Sequence, residues 1–245
     1  MKIYKIICFF LIFPLFCCGC NKEEDCCGPS FYRELITRYV GGALKMEMLQ
    51  ITYTGATPTT ILQTGFVVGV DESQMYSSFC FPEKYKMLAE RNGDTSFNRE
   101  VFPWERLGEA FADNFCELHI VSNADWDEEH PAGTPLDDIL LAHFDSYAKI
   151  IHDGYKINGA KLDLSRNDNF TICKKMVSEL TSDDMEMLCY GYDYYDKDTR
   201  NPMIVFTCAP TLEKEHTLTL RWTTVEVTVK TASVTCTPQV DPALL

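Results

Sequence analysis

The sequence lacks the short motifs that mark the common enzyme sites. It contains no G-x-S-x-G nucleophile elbow, no H-E-x-x-H zinc motif, no P-loop and no dinucleotide-binding glycine pattern. Its five histidines form no short-range metal pair, and among 36 acidic residues the presence of two carboxylates says nothing about a glycosidase site. We therefore assign no catalytic residue and favour a non-enzymatic protein, with a surface glycoside hydrolase as an alternative.

Basic residues are also scarce. Lysine and arginine total 22 against 36 aspartate and glutamate residues, which gives a formal net charge of −14. This charge argues against nucleic acid as a partner, because phosphates call for a basic surface. It argues equally against electrostatic attraction to anionic lipid. An acidic domain of this kind suits a solvated surface and is compatible with calcium or a cationic ligand.

The chain has no apolar run long enough to cross a membrane. The run from Ile6 to Phe16 has 11 residues, whereas a spanning helix needs roughly 20. Lys2 and Lys5 precede this run and the small residue Gly19 follows it. A charged start, a short apolar middle and a small residue at the end are typical of an export signal that is removed.

A cysteine stands directly after this segment. Leu15 lies near the end of the apolar run, Gly19 precedes Cys20, and Cys17 occupies a position where an aliphatic residue is usual. The stretch resembles the lipobox of bacterial lipoproteins, which implies that Cys20 carries fatty acyl chains such as palmitate and becomes the N-terminus. Two or three acyl chains would hold the protein at a membrane without a spanning helix. The alternative is an ordinary secretion signal in which Cys17, Cys18 and Cys20 have no role.

The residues after Cys20 indicate on which face of the membrane the protein is anchored. The sequence Lys22-Glu23-Glu24-Asp25 resembles the export tag of surface lipoproteins of the Bacteroidota, which implies an outer-membrane protein displayed at the cell surface. The periplasmic face is the alternative. We predict a signal peptide at 1–19, a tether at 20–30 and a single domain at 31–245, with a further boundary near residues 155–160 as the alternative.

Residue patterns predict a mainly β, α+β fold. The threonine- and valine-rich segments His216–Trp222 and Thr224–Cys236 alternate in polarity, which indicates an antiparallel, immunoglobulin-like β-sandwich. Further strands are predicted at Leu44–Thr54, Leu62–Val70, Phe115–Val121, Phe170–Val177 and Met203–Cys208, and helices at Phe31–Val40, Pro82–Glu90 and Trp104–Ala112.

The strongest helical pattern lies at about 135–153. Thr134 is a potential N-cap, Pro135 suits the first helical position, and acidic residues follow in the first turn. Apolar residues then recur at a spacing of three to four, up to Ile151. These features predict a well-formed amphipathic helix.

Eight cysteines remain after removal of residues 1–19 and acylation of Cys20. They are Cys26, Cys27, Cys80, Cys116, Cys173, Cys189, Cys208 and Cys236. An even number in an exported chain suggests disulfides, although free cysteine is also a good small core residue. No C-x-x-C pair occurs among them, which argues against a zinc knuckle.

An acidic run at 123–133 is a candidate metal site. Asp125, Asp127, Glu128 and Glu129 offer oxygen ligands of the kind that calcium takes, although the spacing differs from that of an EF-hand. The alternative is a connecting loop with Trp126 packed beneath it. An acidic stretch followed by a capped helix is also similar to domains of unknown function in Bacteroidota lipoproteins, and that resemblance implies no activity.

A tyrosine-rich run at 190–198 is a candidate ligand site. Tyr192, Tyr194 and Tyr195 lie beside aspartates, and together with Trp126 they could stack against and hydrogen-bond a sugar. The alternative is an edge strand that runs into a turn.

The sequence therefore predicts a non-enzymatic cell-surface lipoprotein that binds a glycan or a protein, or has a structural role. A fimbrial subunit is an alternative, since lipidated pilins are also acidic, exported β-sandwich proteins that polymerise after cleavage at an arginine. Arg33 or Arg38 could serve as that arginine.

Overall fold

Antiparallel β-sheets dominate the regular secondary structure of the described residues, as the alternating sequence pattern predicts. The computed structural model describes residues 34–46, 49–53, 65–70, 73–101, 108–162, 170–191 and 201–245. All of them belong to one compact unit, Arg33–Leu245. The predicted mainly β, α+β fold is confirmed, and the arrangement of sheets is consistent with a β-sandwich.

The elements are numbered in chain order. The strands are β1 Glu34–Ile36, β2 Gly42–Met46, β3 Leu49–Tyr53, β4 Gly65–Val70, β5 Ser73–Ser77, β6 Arg99–Val101, β7 Glu109–Phe111, β8 Phe115–Ser122, β9 Leu140–Ser146, β10 Lys156–Ile157, β11 Ala160–Lys161, β12 Thr171–Met176, β13 Cys189–Tyr190, β14 Met203–Phe206, β15 His216–Thr224 and β16 Val229–Cys236. The α-helices are α1 Pro82–Arg91 and α2 Ala148–His152, and short 3-10 helices lie at Val177–Glu179 and Ser182–Met185. Neither α-helix of the described residues is long and apolar enough to cross a bilayer.

Two sheets enclose the main hydrophobic core. One has five strands in the order β12-β9-β14-β4-β3, and the other has three strands in the order β16-β15-β8. Trp222 of β15 lies between them, fully buried, with its ring stacked on Phe115 at 4.0 Å and 5.8 Å from the ring of Phe144. Alternate residues of β8 and β15 point into this core, so their other faces are left toward solvent.

A four-stranded sheet in the order β13-β7-β2-β5 lies beside helix α1. This sheet contains a parallel pair, β2 with β7, while its other pairs are antiparallel. Helix α1 forms where the sequence predicts it, because Pro82 suits its first turn and Tyr85 and Ala89, four residues apart, form its buried face. It ends before Gly93, whose φ of 71° suits glycine.

The predicted helix at 135–153 is wrong over most of its length. Residues 140–146 form strand β9, which lies between β12 and β14 in the five-stranded sheet, and only Ala148–His152 is helical. Leu140 and Phe144 are four residues apart, which fits both a helical and an alternating pattern. In the structure they lie with Ala142 on the buried face of β9, and half-buried residues stand between them.

The predicted first turn of that helix bonds to β8 instead. The Leu136 N–H donates to the Ile120 carbonyl at 2.8 Å, and the Ile120 N–H donates to Asp137 Oδ1 at 3.0 Å. The acidic residue expected to interact with a helix dipole therefore satisfies the edge of a neighbouring strand. This long-range pairing overrides the local helical signals.

Three other sequence predictions also need correction. The described part of the predicted helix at Phe31–Val40 contains strand β1, which pairs with β6, and the described end of the predicted helix at Trp104–Ala112 contains strand β7. The single strand predicted at Leu44–Thr54 is two strands in different sheets. In each case pairing between distant segments determines the local structure.

No disulfide joins any of the described cysteines, which are Cys80, Cys116, Cys173, Cys189, Cys208 and Cys236. Cys26 and Cys27 lie outside the described residues. The disulfide framework suggested by the even cysteine number is therefore absent among these six, and Cys189 and Cys236 are instead buried in the cores.

A buried carboxylate joins the first described segment to the end of helix α1. Asp94, which is 1% exposed, accepts hydrogen bonds from the backbone N–H groups of Tyr39 at 2.7 Å and Val40 at 2.8 Å. The hydroxyl of Tyr155 donates to the same carboxylate at 3.1 Å. Burial raises the pKa of Asp94, although these hydrogen bonds act to lower it.

Candidate functional site

The acidic loop at 123–133 connects β8 to the segment that precedes β9, and its own hydrogen bonds fold it back on itself. Asp125 Oδ1 accepts from the Ala132 N–H at 2.7 Å, and the Gly133 N–H donates to the Ser122 carbonyl at 2.8 Å. Gly133 has a φ of 85°, a conformation that glycine adopts without strain. The loop is therefore an ordered turn closed at its base.

A histidine is held between two carboxylates in this loop. His130 Nδ1 lies 2.8 Å from Asp127 Oδ1, and His130 Nε2 lies 3.0 Å from Asp138 Oδ1. A carboxylate only accepts hydrogen bonds, so an imidazole protonated at both nitrogens satisfies both contacts. Burial acts against the charged form, yet the two carboxylates outweigh it and raise the pKa of His130 above its ordinary value of 6.5. Burial acts to raise the pKa of Asp127, but the hydrogen bonds from His130 lower it overall.

This geometry predicts a pH-dependent contribution to stability. Because the pKa of His130 is raised on folding, its contribution is complete below the unfolded-state pKa and is lost as pH rises through the folded-state pKa. In a His130→Gln variant that pH dependence should disappear. The free energy of unfolding in urea, measured for both proteins at about pH 5.5 and about pH 8.5, tests this on either side of the ordinary histidine range.

His152→Gln is the matched control for that experiment. His152 is half-exposed at 52%, and its Nε2 lies 3.6 Å from Glu186 Oε1 at the surface. The control should leave the pH dependence of the wild-type protein in place, because exposed pairs contribute little to stability. Equal pH dependence in wild type and His130→Gln would contradict the prediction.

Some of the predicted calcium ligands form hydrogen bonds within the loop, and the others face solvent. Asp125 and Asp127 accept from backbone N–H groups of the loop, whereas Glu128 and Glu129 are exposed. Within the described ranges, no group of three or more histidine, cysteine, aspartate or glutamate side chains is placed to hold a metal ion. Calcium binding therefore stays a prediction, and binding there would require Asp125 and Asp127 to exchange their present partners for the ion.

Trp126, one of the predicted ligand-stacking residues, lies beneath the loop. It is fully buried, with its ring 4.8 Å from the ring of His216 and 5.5 Å from that of Phe206. Its backbone carbonyl also accepts from the N–H groups of Thr211 and Leu212. A sugar cannot stack on this indole unless the loop moves, so Trp126 acts as a core residue in this conformation.

A serine–histidine pair, which sequence inspection missed, adjoins Trp126. Ser122 Oγ lies 2.7 Å from His216 Nδ1, and His216 Nε2 lies 3.1 Å from the Glu213 carbonyl. The carbonyl only accepts, so Nε2 carries the proton in a neutral ring and the Ser122 hydroxyl donates to Nδ1. The two residues are 94 positions apart and belong to no local motif.

Hydrogen bonding between a serine and a histidine is also the arrangement of a nucleophile with its base. In this protein, however, Ser122 is 3% exposed and His216 is fully buried. Ser122 Oγ also accepts from the Ala124 N–H at 3.1 Å. The pair therefore fixes the start of the loop, and both of its side chains are buried.

The tyrosines predicted to bind ligand, Tyr192, Tyr194 and Tyr195, lie outside the described residues. The residues on either side of that segment are joined, because the Gly191 N–H donates to Asn201 Oδ1 at 3.1 Å. Tyr190 is half-buried, with its ring 5.1 Å from that of Phe111. The structure thus ties the ends of the segment to the domain, and the ligand prediction for its tyrosines stays a prediction.

The two arginines proposed for pilin-type cleavage differ in what the structure describes. Arg33 lies outside the described residues. The guanidinium of Arg38 lies over the ring of Tyr85, 4.9 Å from its centroid, and the next residue, Tyr39, is bound through its N–H to buried Asp94. A protease would therefore have to open this segment before it could cut after Arg38.

Cys20 lies outside the described residues, so its predicted acylation also stays a prediction. Comparison with known proteins adds no assignment for any of these sites. No protein-family model, no curated protein and no solved structure matches this chain significantly.

Proposed function

We propose that this protein is a cell-surface lipoprotein, anchored in the outer membrane through acyl chains on Cys20, whose β-sandwich domain binds a partner without chemical turnover. The anchor is supported by Leu15 near the end of a short apolar run and by Gly19 and Cys20 after that run. Display is supported by the acidic residues that follow Cys20. The alternative of the periplasmic face differs only in which partners can reach the domain.

The non-enzymatic part of this proposal is supported by the present contacts of the side chains that could react. The Ser122–His216 pair is buried, and the carboxylates of Asp125 and Asp127 accept from backbone N–H groups of their own loop. A general base or nucleophile must reach the atom on which it acts. These residues are better placed to hold the loop than to act on a substrate.

Replacing the acylated cysteine tests the anchor. In cells, Cys20→Ala should lose incorporation of labelled palmitate and move from the membrane fraction to the soluble fraction. Cys18→Ala is the matched control, because it removes a neighbouring thiol that would leave with the signal, and it should remain labelled. Membrane retention and labelling of Cys20→Ala would overturn the anchor.

Protease treatment of intact cells then tests surface display. We expect an antibody signal from the domain to disappear without cell lysis. A protected signal would place the domain on the periplasmic side and direct the search for partners to the cell envelope.

A further inference from the structure

Residues 78–81, which connect β5 to α1, present two phenylalanines to solvent, and we call this segment the aromatic turn. Phe79 is 92% exposed, Phe81 is 53% exposed, and Cys80 between them is also exposed. In the described chain, these two are the aromatic residues among the large apolar side chains that are exposed. An aromatic ring gains much from leaving water, so the turn is a candidate for contact with an apolar phase.

Hydrogen bonds hold the aromatic turn in one conformation. The N–H groups of Phe79 and Cys80 donate to Ser77 Oγ at 3.3 and 3.1 Å, and the Ser77 N–H donates to the Cys80 carbonyl at 2.7 Å. Phe81 has a φ of 54°, which costs free energy in a bulky residue, and its ring lies 5.8 Å from that of Tyr76. The fold therefore projects Phe79 outward from an ordered and strained turn.

The N-terminal part of the chain enters the domain beside the aromatic turn. The guanidinium of Arg38 lies 4.9 Å from the centre of the Tyr85 ring, and the Tyr85 N–H donates to the Phe81 carbonyl at 3.0 Å. Glu34, where the described chain begins, is four residues before Arg38 and so lies within about 14 Å of it. An anchor that precedes Glu34 is therefore attached to the domain near this turn.

The proposed anchor on Cys20 keeps the domain close to the bilayer. Cys20 precedes Glu34 by 14 residues, and a chain of that length spans at most about 50 Å. A tethered domain is already concentrated at the membrane, so a contact too weak to recruit a free protein becomes populated. Aromatic side chains are favoured at the boundary between headgroups and acyl chains, which makes one or two rings a contact of this kind.

The size of the aromatic turn favours lipid over a protein partner. Two phenylalanine side chains bury roughly 300–500 Å² at most, whereas a stable protein interface buries about 800 Å² on each partner. The charges of the adjoining helix are mixed, because α1 contains the acids Glu83 and Glu90 and the bases Lys84, Lys86 and Arg91. This balance does not repel a zwitterionic lipid surface.

We infer that the aromatic turn inserts Phe79 and Phe81 into the headgroup boundary of the phospholipid bilayer that holds the acyl chains of Cys20. The inference rests on the proposed lipid anchor and adds a second contact to it. This contact determines which side of the domain lies against the membrane, because the anchor alone restricts distance and leaves orientation free.

Quenching by brominated lipid tests the insertion. The full mature acylated chain with Phe79→Trp would be reconstituted in phosphatidylcholine vesicles, with or without bromine on the acyl chains near the headgroup. After subtraction of the wild-type emission, we expect brominated lipid to quench the added tryptophan several-fold more strongly than the added tryptophan of a control variant.

Val227→Trp is that matched control. Val227 is exposed in the turn between β15 and β16, and the neighbouring Glu226 pairs with Arg91 at the last residue of α1. The ten residues of α1 separate this turn from the aromatic turn by about 15 Å. We expect little quenching of this variant.

The thiol of Cys80 gives a second measurement without an added tryptophan. In vesicles, a water-soluble maleimide should modify Cys80 about tenfold more slowly in the wild-type chain than in Phe79→Ser, because burial of a phenyl ring shifts the population by about that factor. Mass spectrometry of the Cys80 peptide measures the rate. Phe79→Ser changes an exposed side chain and should leave the fold intact.

Three results would overturn the inference. They are quenching of Val227→Trp that equals or exceeds that of Phe79→Trp, equal Cys80 modification in the wild type and Phe79→Ser, and a dimer in detergent that Phe79→Ser dissociates. The dimer would assign the aromatic turn to a second copy of the chain. A mature chain without acyl groups on Cys20 that vesicles do not retain would overturn the proposed anchor and this second contact with it, so the two failures are distinguishable.

Discussion

Replacing Asp94 with alanine should lower the free energy of unfolding by about 3–5 kcal/mol, because each buried donor left without a partner costs about 1–3 kcal/mol. The substitution would remove the acceptor for the N–H groups of Tyr39 and Val40 and for the Tyr155 hydroxyl, all in a site that is 1% exposed. Urea denaturation followed by circular dichroism measures the loss.

Two further variants make the Asp94 experiment specific. Asp94→Asn keeps one acceptor oxygen but cannot accept from both backbone N–H groups, so its stability should fall between the wild type and Asp94→Ala. Asp153→Ala removes an aspartate that is half-exposed and lies 3.8 Å from Lys149, and it should change stability by no more than about 0.5 kcal/mol. Equal effects of Asp94→Ala and Asp153→Ala would show that the buried carboxylate does not hold the first segment.

Trp222→Ala should have a comparable effect in the main hydrophobic core. Trp222 is fully buried, stacks on Phe115 at 4.0 Å and lies near Phe144 of the facing sheet. Truncation of a buried tryptophan costs about 3–5 kcal/mol through lost burial and the cavity that remains. Such a loss is a large part of the total stability of a typical domain, and thermal unfolding measures it.

A smaller substitution keeps the Trp222 prediction measurable if the alanine variant does not fold. Trp222→Phe retains a ring against Phe115 and should lose less than Trp222→Ala. Leu212→Ala removes an apolar side chain that is 54% exposed, so it should be nearly neutral. A Trp222→Ala protein as stable as Leu212→Ala would contradict the packing of the two sheets across this residue.

The sequence predicts the parts of the fold in which local pattern and long-range pairing agree. Strands β8, β12, β14 and β15 and helix α1 lie where their alternating or helical patterns indicate. The segment 135–153 fails because its apolar spacing fits two structures, and pairing of β9 with β12 and β14 selects the strand.

The candidate site is likewise predictable only where its contacts are local in the sequence. The acidic residues at 123–133 do form a loop over Trp126, one of the two sequence interpretations. Nothing local reveals that Ser122 meets His216, 94 residues away, or that Asp94 binds Tyr39, 55 residues away. Such contacts arise only from the tertiary fold, so a single sequence contains no spacing that would indicate them.

The order of strands in the five-stranded sheet has a consequence for folding during synthesis. Its third strand, β14, comes from residues 203–206, and it separates β9 from β4, both of which are made much earlier. A nascent chain therefore cannot close this layer until most of it has left the ribosome, and such non-local pairing is slow. We expect this layer of the domain to fold only after β14 has been made.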